Sequence, residues 1–200
     1  MTKYYYLLMI MLCAGNLTAQ HLPVDNTNRI RITDTGQVQL LEILPVKKGP
    51  DTDPAAEYYW YSANKVHQTQ GGYSGRLLNG SYTAYYLNKE LRAQGNFVRG
   101  LKKGIWKQWD QQGRLLNYYT WNKGRLSGAF GVYDTTGRIM QEGNYDHGRL
   151  EGFLRNYPAA DSVQAVYYKN GKQVSAPPPF LKRINIFKRK AARDTSANAL

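Results

Sequence analysis

Cysteine is all but missing from this chain: Cys13 is the only one in 200 residues. It falls in an apolar N-terminal stretch that reads as a leader, so the chain beyond residue 19 has no disulfide and no thiolate for catalysis or metal binding. Leu12 stands immediately before it, where a lipidated protein would carry a small residue, which argues against lipidation. Histidine is nearly as scarce. His21, His67 and His147 lie far apart, and no carboxylate stands at the spacing of a metal site or a serine-activating base. No glycine-rich phosphate loop leads into a helix. Glu142 with Glu151, or Asp134 with Asp146, could approach across hairpins as a carboxylate pair, but turn chemistry explains both aspartates without catalysis. The expectation is a protein that is not an enzyme and takes neither cofactor nor metal.

Long hydrophobic runs are also absent. The apolar run at 4–14 is about half of the roughly twenty residues a bilayer requires. With Lys3 before it and Leu17, Thr18 and Ala19 after it, residues 1–19 are laid out as a secretory signal peptide cleaved after Ala19. That implies export to the periplasm or envelope of a bacterium. Acidic side chains are few, 14 against 27 basic ones. The resulting basicity invites a nucleic-acid reading, but export and the scattering of lysines and arginines among acids favour a solvated sheet surface. No nucleic acid is expected as partner; anionic lipid or glycan remains open.

What the chain has is a repeat. Gly80, Gly104, Gly128 and Gly152 recur at a fixed spacing of 24 residues, and a second set, Gly100, Gly124 and Gly148, precedes the first by four. Two positions after each unit glycine stand Tyr82, Trp106, Phe130 and Leu154; five after it stand Tyr85, Trp109, Tyr133 and Tyr157. The register extends backwards to a degenerate unit with Ala56 in the glycine place, and forwards through a unit that loses one residue near 159–161. Irregular end units suit a stacked array, whose terminal repeats diverge into caps.

Each unit reads as a β-hairpin, with aromatic and β-branched stretches punctuated by glycine turns and nothing of helical period. The fold class predicted is all-β: an elongated, single-layer antiparallel meander of about five hairpin repeats over residues 56–175. Residues 20–55 hold a further hairpin candidate, 29–33 with 37–44, placed to cap the exposed edge of the first repeat. Trp106 and Trp109 are three apart and so point to opposite faces unless a bulge intervenes. Equivalent rings in successive repeats lie two strands apart, roughly 9.5 Å, close enough to form a ladder through the residues between.

The segments 95–104 and 143–152, each a glycine, an aromatic, a short glycine turn and a second glycine, resemble the repeat signature of the MORN family. The wider unit is similar to the bacterial YwqK-type family that carries an antitoxin label. The resemblance covers residues 56–175 and implies stacked hairpins in one twisted sheet. It also implies a scaffold that binds proteins or membrane surfaces, with a toxin partner as a further alternative that the leader argues against. Tyr119 departs from the pattern, standing where neighbouring units keep Gly95 and Gly143. Its ring either fills a groove or joins Trp106, Trp109 and Trp121 in a contact patch.

The tail, residues 176–200, opens with a proline spacer and then mixes apolar and basic residues, open to a short helix. Phe180, Lys182, Arg183, Phe187, Lys188, Arg189 and Lys190 are its candidate membrane contacts, the alternative being a cap or a loose extension. The candidate binding surface on the repeats is Trp106, Trp109, Tyr119, Trp121, Tyr133 and Tyr145. The functional expectation is a protein-interaction surface for an unidentified protein partner, with binding of glycan or anionic lipid through the aromatic ladder and tail as alternative.

Overall fold

The computed structural model describes residues 28–45, 49, 51–159 and 161–176. The leader and the candidate membrane contacts of the tail lie outside them. The described chain is all-β, fourteen antiparallel strands in one open sheet. Its main path runs from β1 (Asn28–Thr33) and β2 (Gln37–Ile43) to β5 (Arg76–Tyr86), β6 (Leu91–Val98), β7 (Leu101–Trp109), β8 (Leu115–Asn122), β9 (Arg125–Tyr133) and β10 (Ile139–Asp146). It ends with β12 (Gly152–Ala159), β13 (Ser162–Lys169) and β14 (Lys172–Gln173), while the two-residue β11 (Arg149–Leu150) pairs with β10. Between β2 and β5 in sequence, β3 (Glu57–Ser62) and β4 (Lys65–Gln70) leave that path.

The 24-residue period has a hydrogen-bonding cause. Leu41 and Ile43 pair with Tyr82 and Leu78, so Asn79, Gly80 and Ser81 together oppose Glu42 alone. The same three-against-one bulge recurs around Gly104, opposite Gly95, and around Gly128, opposite Thr120. Two added residues bend the strand yet keep its faces in phase. The bulge demands a positive φ, +110° at Gly80 and +118° at Gly128, which only glycine adopts without a Cβ clash. The second glycine set completes the motif. The N–H groups of Gly100, Gly124 and Gly148 donate to the carbonyls of Leu78, Lys102 and Leu126 at 2.7, 3.0 and 2.7 Å, each two residues before a unit glycine. Gly171 does the same to Leu150 at 2.9 Å, one residue closer in sequence because of the deletion near 159–161. Each hairpin's tip is thereby fastened to the preceding strand.

At the opposite ends of the strands, Asp110 and Asp134 organise five-residue turns. The Asp110 carboxylate accepts from the N–H of Gln112 and of Arg114 at 2.9 Å each, and Asp134 accepts from Thr136 and Arg138 at 2.8 and 3.0 Å. In the corresponding turn between β5 and β6, residues 86–90, Lys89 takes the place of Gly113 and adopts the same left-handed conformation, φ +72° against +75°.

The first hairpins are arranged differently from the expectation. The β1–β2 hairpin pairs with β5 along the length of β2, not with the Ala56 unit. That unit does not extend the stack at its end: β3 meets β5 through only Trp60 with Leu77 and Tyr61 with Arg76, and the Tyr59 N–H donates to the Gly100 carbonyl at 2.8 Å. The cause lies in β3 itself, Glu-Tyr-Tyr-Trp-Tyr-Ser, whose two faces are both aromatic. Tyr58 and Trp60 bury with Ala56 and Leu77. Tyr59 and Tyr61, with Val66 of β4, pack against a cluster of Ile32, Leu41, Ile43, Leu78, Phe97 and Trp106. An edge position in the stack would leave one of those faces in water. Packed over β5 to β7, the hairpin buries one face and half-buries the other, and burial of large aromatic side chains is the strongest stabilising term available to so thin a sheet.

Candidate interaction surface

Bulges and glycines set one face of the sheet as an aromatic row. In register across it stand Tyr82, Gly95, Trp106, Tyr119, Phe130 and Gly143. Gly95 lies under the Trp106 indole, and a Cβ there would collide with it. The missing side chain lets rings two strands apart touch directly: Tyr82 and Trp106 have centroids 5.6 Å apart, well inside the ladder spacing expected from strand geometry alone. Phe97 packs edge-on to Trp106 at 4.7 Å and to Tyr82 at 5.6 Å.

Over β5 to β7 this face is closed by the β3–β4 hairpin, and burial is the main reason that Tyr59 and Tyr82 are both pushed up to about 12. From β8 onward the hairpin no longer pairs with the sheet, and only Trp121 still packs against the covered cluster. There Phe130, 2% exposed, is covered by its neighbours' rings, with Leu154 beside it at Gly143. Tyr119 stacks on it at 5.4 Å with planes 4° apart, and Tyr145 leans on it at 5.0 Å. Tyr119 thus fills the groove that a glycine leaves in the flanking units, while its outer ring face stays half-exposed.

At the border between the covered and open halves sits Lys102. Its Nζ lies 4.8 Å from the centroids of Trp106 and Trp121 and 5.1 Å from that of Tyr59. Burial lowers its pKa, with the negative charge of Glu57 acting in the opposite direction. This three-ring enclosure joins hairpin to sheet through a cation, and it was not singled out from the sequence. The signal was present. Two residues before each unit glycine stand Leu78, Lys102, Leu126 and Leu150, so a charge occupies a leucine register in one unit only.

The six candidate surface residues separate into three groups. Trp106 is 8% exposed and belongs to the core, its indole N–H donating to the Asn96 carbonyl at 3.2 Å. Tyr119, Trp121 and Tyr145 share the open aromatic face, half-buried. Trp109 and Tyr133 belong to the opposite face by strand alternation. The bulge beside Trp109 adds a residue to β8, not to β7, so it does not bring the two tryptophans together. On that opposite face Tyr133 lies 6.4 Å from Tyr118. Among the described residues, no cluster of three His, Cys, Asp or Glu side chains is placed to hold a metal ion. Compared with protein-family models, with curated proteins and with solved structures, the chain matches none.

Proposed function

We propose that this chain is a non-catalytic, exported β-repeat protein of MORN-like type whose role is to hold a protein partner against the open half of its aromatic face. One observation carries the reading. A single continuous face is closed by an aromatic hairpin over β5 to β7 and left open over β8 to β13, where Tyr119, Trp121, Tyr145, Leu154 and Val166 keep the same inward register half-buried. Apolar rows of this kind rimmed by polar residues mark protein-binding surfaces, and aromatic side chains dominate such interfaces. The hairpin itself supplies the template for an occupant: an extended, aromatic-rich segment laid across the strands.

The test is affinity capture from solubilised bacterial envelope with the mature chain, beside a Tyr145→Ser, Leu154→Ser variant. Because Tyr145 also covers Phe130, the variant should melt lower than the parent, so capture is run well below both melts with β-sheet circular dichroism showing that the variant stays folded. The expected result is one stoichiometric protein held by the parent and lost by the variant. Equal capture by both proteins would sink the reading.

A further inference from the structure

The hairpin tips that fasten successive units form a second feature, on an edge of the sheet and apart from the aromatic face. Each is a two-residue turn with both residues left-handed, a geometry that favours Asn, Asp or Gly at the first position. Here the first positions hold Arg99, Lys123 and His147, at φ +51°, +48° and +47°. A side chain in that region costs roughly 1 kcal/mol, yet three successive units accept the strain with a basic residue. Arg125 and Arg149 flank the second and third turns and Lys103 lies two residues beyond Leu101, which flanks the first; all three are exposed, as the three tip residues are. Arg125 is paired with Asp53 at 3.4 Å and His147 with Asp146 at 2.7 Å. Arg99, Lys103, Lys123 and Arg149 have no ion pair among the described residues. Beside the first two tips lies a groove of about 410 Å³ lined by Asp51, Val98, Arg99, Leu101, Lys103 and Lys123.

We propose that this edge binds an acidic polysaccharide lengthwise, one anionic group per hairpin tip, with a sugar unit seated in the Arg99–Lys123 groove. Successive tips are two strands apart, roughly 9.5 Å, which sets a linear row of cations, Arg99, Lys123 and Arg149, the last beside His147, which adds charge only when protonated. At the ordinary twist of about 20° to 25° per strand, four strands turn the row by on the order of 90° between Arg99 and His147. A flat bilayer meets only part of such an edge, whereas a flexible polymer follows it. A single-stranded nucleic acid would need aromatic faces for its bases among the cations; the residues flanking the tips, Val98, Leu101, Asn122, Arg125, Asp146 and Arg149, include none, and Tyr58 in the groove wall is only 3% exposed. Carboxylate and amide groups interleaved with cations suit a ligand that bears hydroxyls as well as acids.

The test is calorimetric titration of the full chain with oligo-uronates of increasing length, at low and physiological salt. It is repeated for the triple variant Arg99→Asn, Lys123→Asn, His147→Asn and for the control Arg31→Gln, Lys107→Gln, which removes two charges elsewhere. Asparagine suits the left-handed position, so the triple variant should melt no lower than the parent, and lost binding cannot be ascribed to unfolding. Affinity should rise with oligomer length, fall about tenfold or more in the triple variant with a shallower salt dependence, and persist in the control. Equal loss in both variants would reduce the effect to net charge and overturn the proposal. So would absence of binding, or tighter binding through the same tips of phosphatidylglycerol vesicles or of a single-stranded oligonucleotide.

Discussion

At the scale of single residues, two opposing effects meet at Lys102. Burial lowers the lysine's pKa, so the folded state holds the ammonium less favourably than water does, and that penalty fades only as pH rises towards the unfolded value. Three ring faces attract the same charge, each contact contributing about 0.5–1 kcal/mol, or more where it is desolvated. Lys102→Met keeps most of the stem and removes the charge, so a double-mutant cycle with Trp121→Leu isolates the attraction. The expected coupling is about 0.5–1 kcal/mol in denaturant unfolding; a coupling indistinguishable from zero would make the rings simple packing. The contrast with Leu78, Leu126 and Leu150 shows what was legible and what was not. The register of the position was in the sequence, but the third ring comes from Tyr59, on a hairpin whose place over the sheet the repeat did not announce.

At the scale of the element, the aspartate turns tie the fold to pH. In the Asp134 turn the Thr136 hydroxyl, and after it the N–H groups of Thr136 and Arg138, hold the carboxyl well below the usual range. At Asp110 burial pushes upward, but the N–H and side chain of Arg114 and the N–H of Gln112 outweigh it. A depressed folded pKa contributes stability that is present above the ordinary carboxylate value, about 4, and is lost as pH falls through the folded value. The parent should therefore lose stability on acidification from about pH 4 downward. Asp134→Asn, which still accepts from the turn's N–H groups, should flatten that acid limb in melts across the same range. An acid limb unchanged in the variant would show that this turn carries no proton linkage. The turn type here was readable from Asp-Thr-Thr-Gly and Asp-Gln-Gln-Gly, because glycine supplies the left-handed fourth residue. The bulges were not readable as bulges: the unit glycines announce a special conformation, but only the pairing register assigns it to the strand interior.

At the scale of the whole molecule, the repeats are alike in backbone and unlike in burial. Periodicity alone was enough to read an all-β meander with hairpin units. It could not decide which hairpin lies beside which, because the Ala56 unit carries the same alternation whether it ends the stack or folds over it. The two-faced aromatic strand β3 settles that choice through burial, and the consequence is a gradient along the sheet. Ile43, Leu77 and Leu78, at 2% exposure or less, lie in the first half, under or beside the hairpin; Phe130, also 2% exposed, is the exception in the open half, covered by Tyr119 and Tyr145. The first five residues of β13 run from exposed to half-buried with Val163 57% exposed, and β14 pairs with β13 through only two residues. In a linear array each unit's stability is its own plus its interfaces with neighbours, so the C-terminal units have the least to hold them. Native-state hydrogen exchange should accordingly find β12 to β14 opening at far lower free energy than β5 to β7, with protection falling stepwise from one hairpin to the next. The polarity follows from the covering hairpin and not from the ladder, whose hydrogen bonds repeat unit by unit. Uniform protection across all units would mean that the sheet unfolds as one body, and that the dry half lends its stability to the open half through the aromatic row.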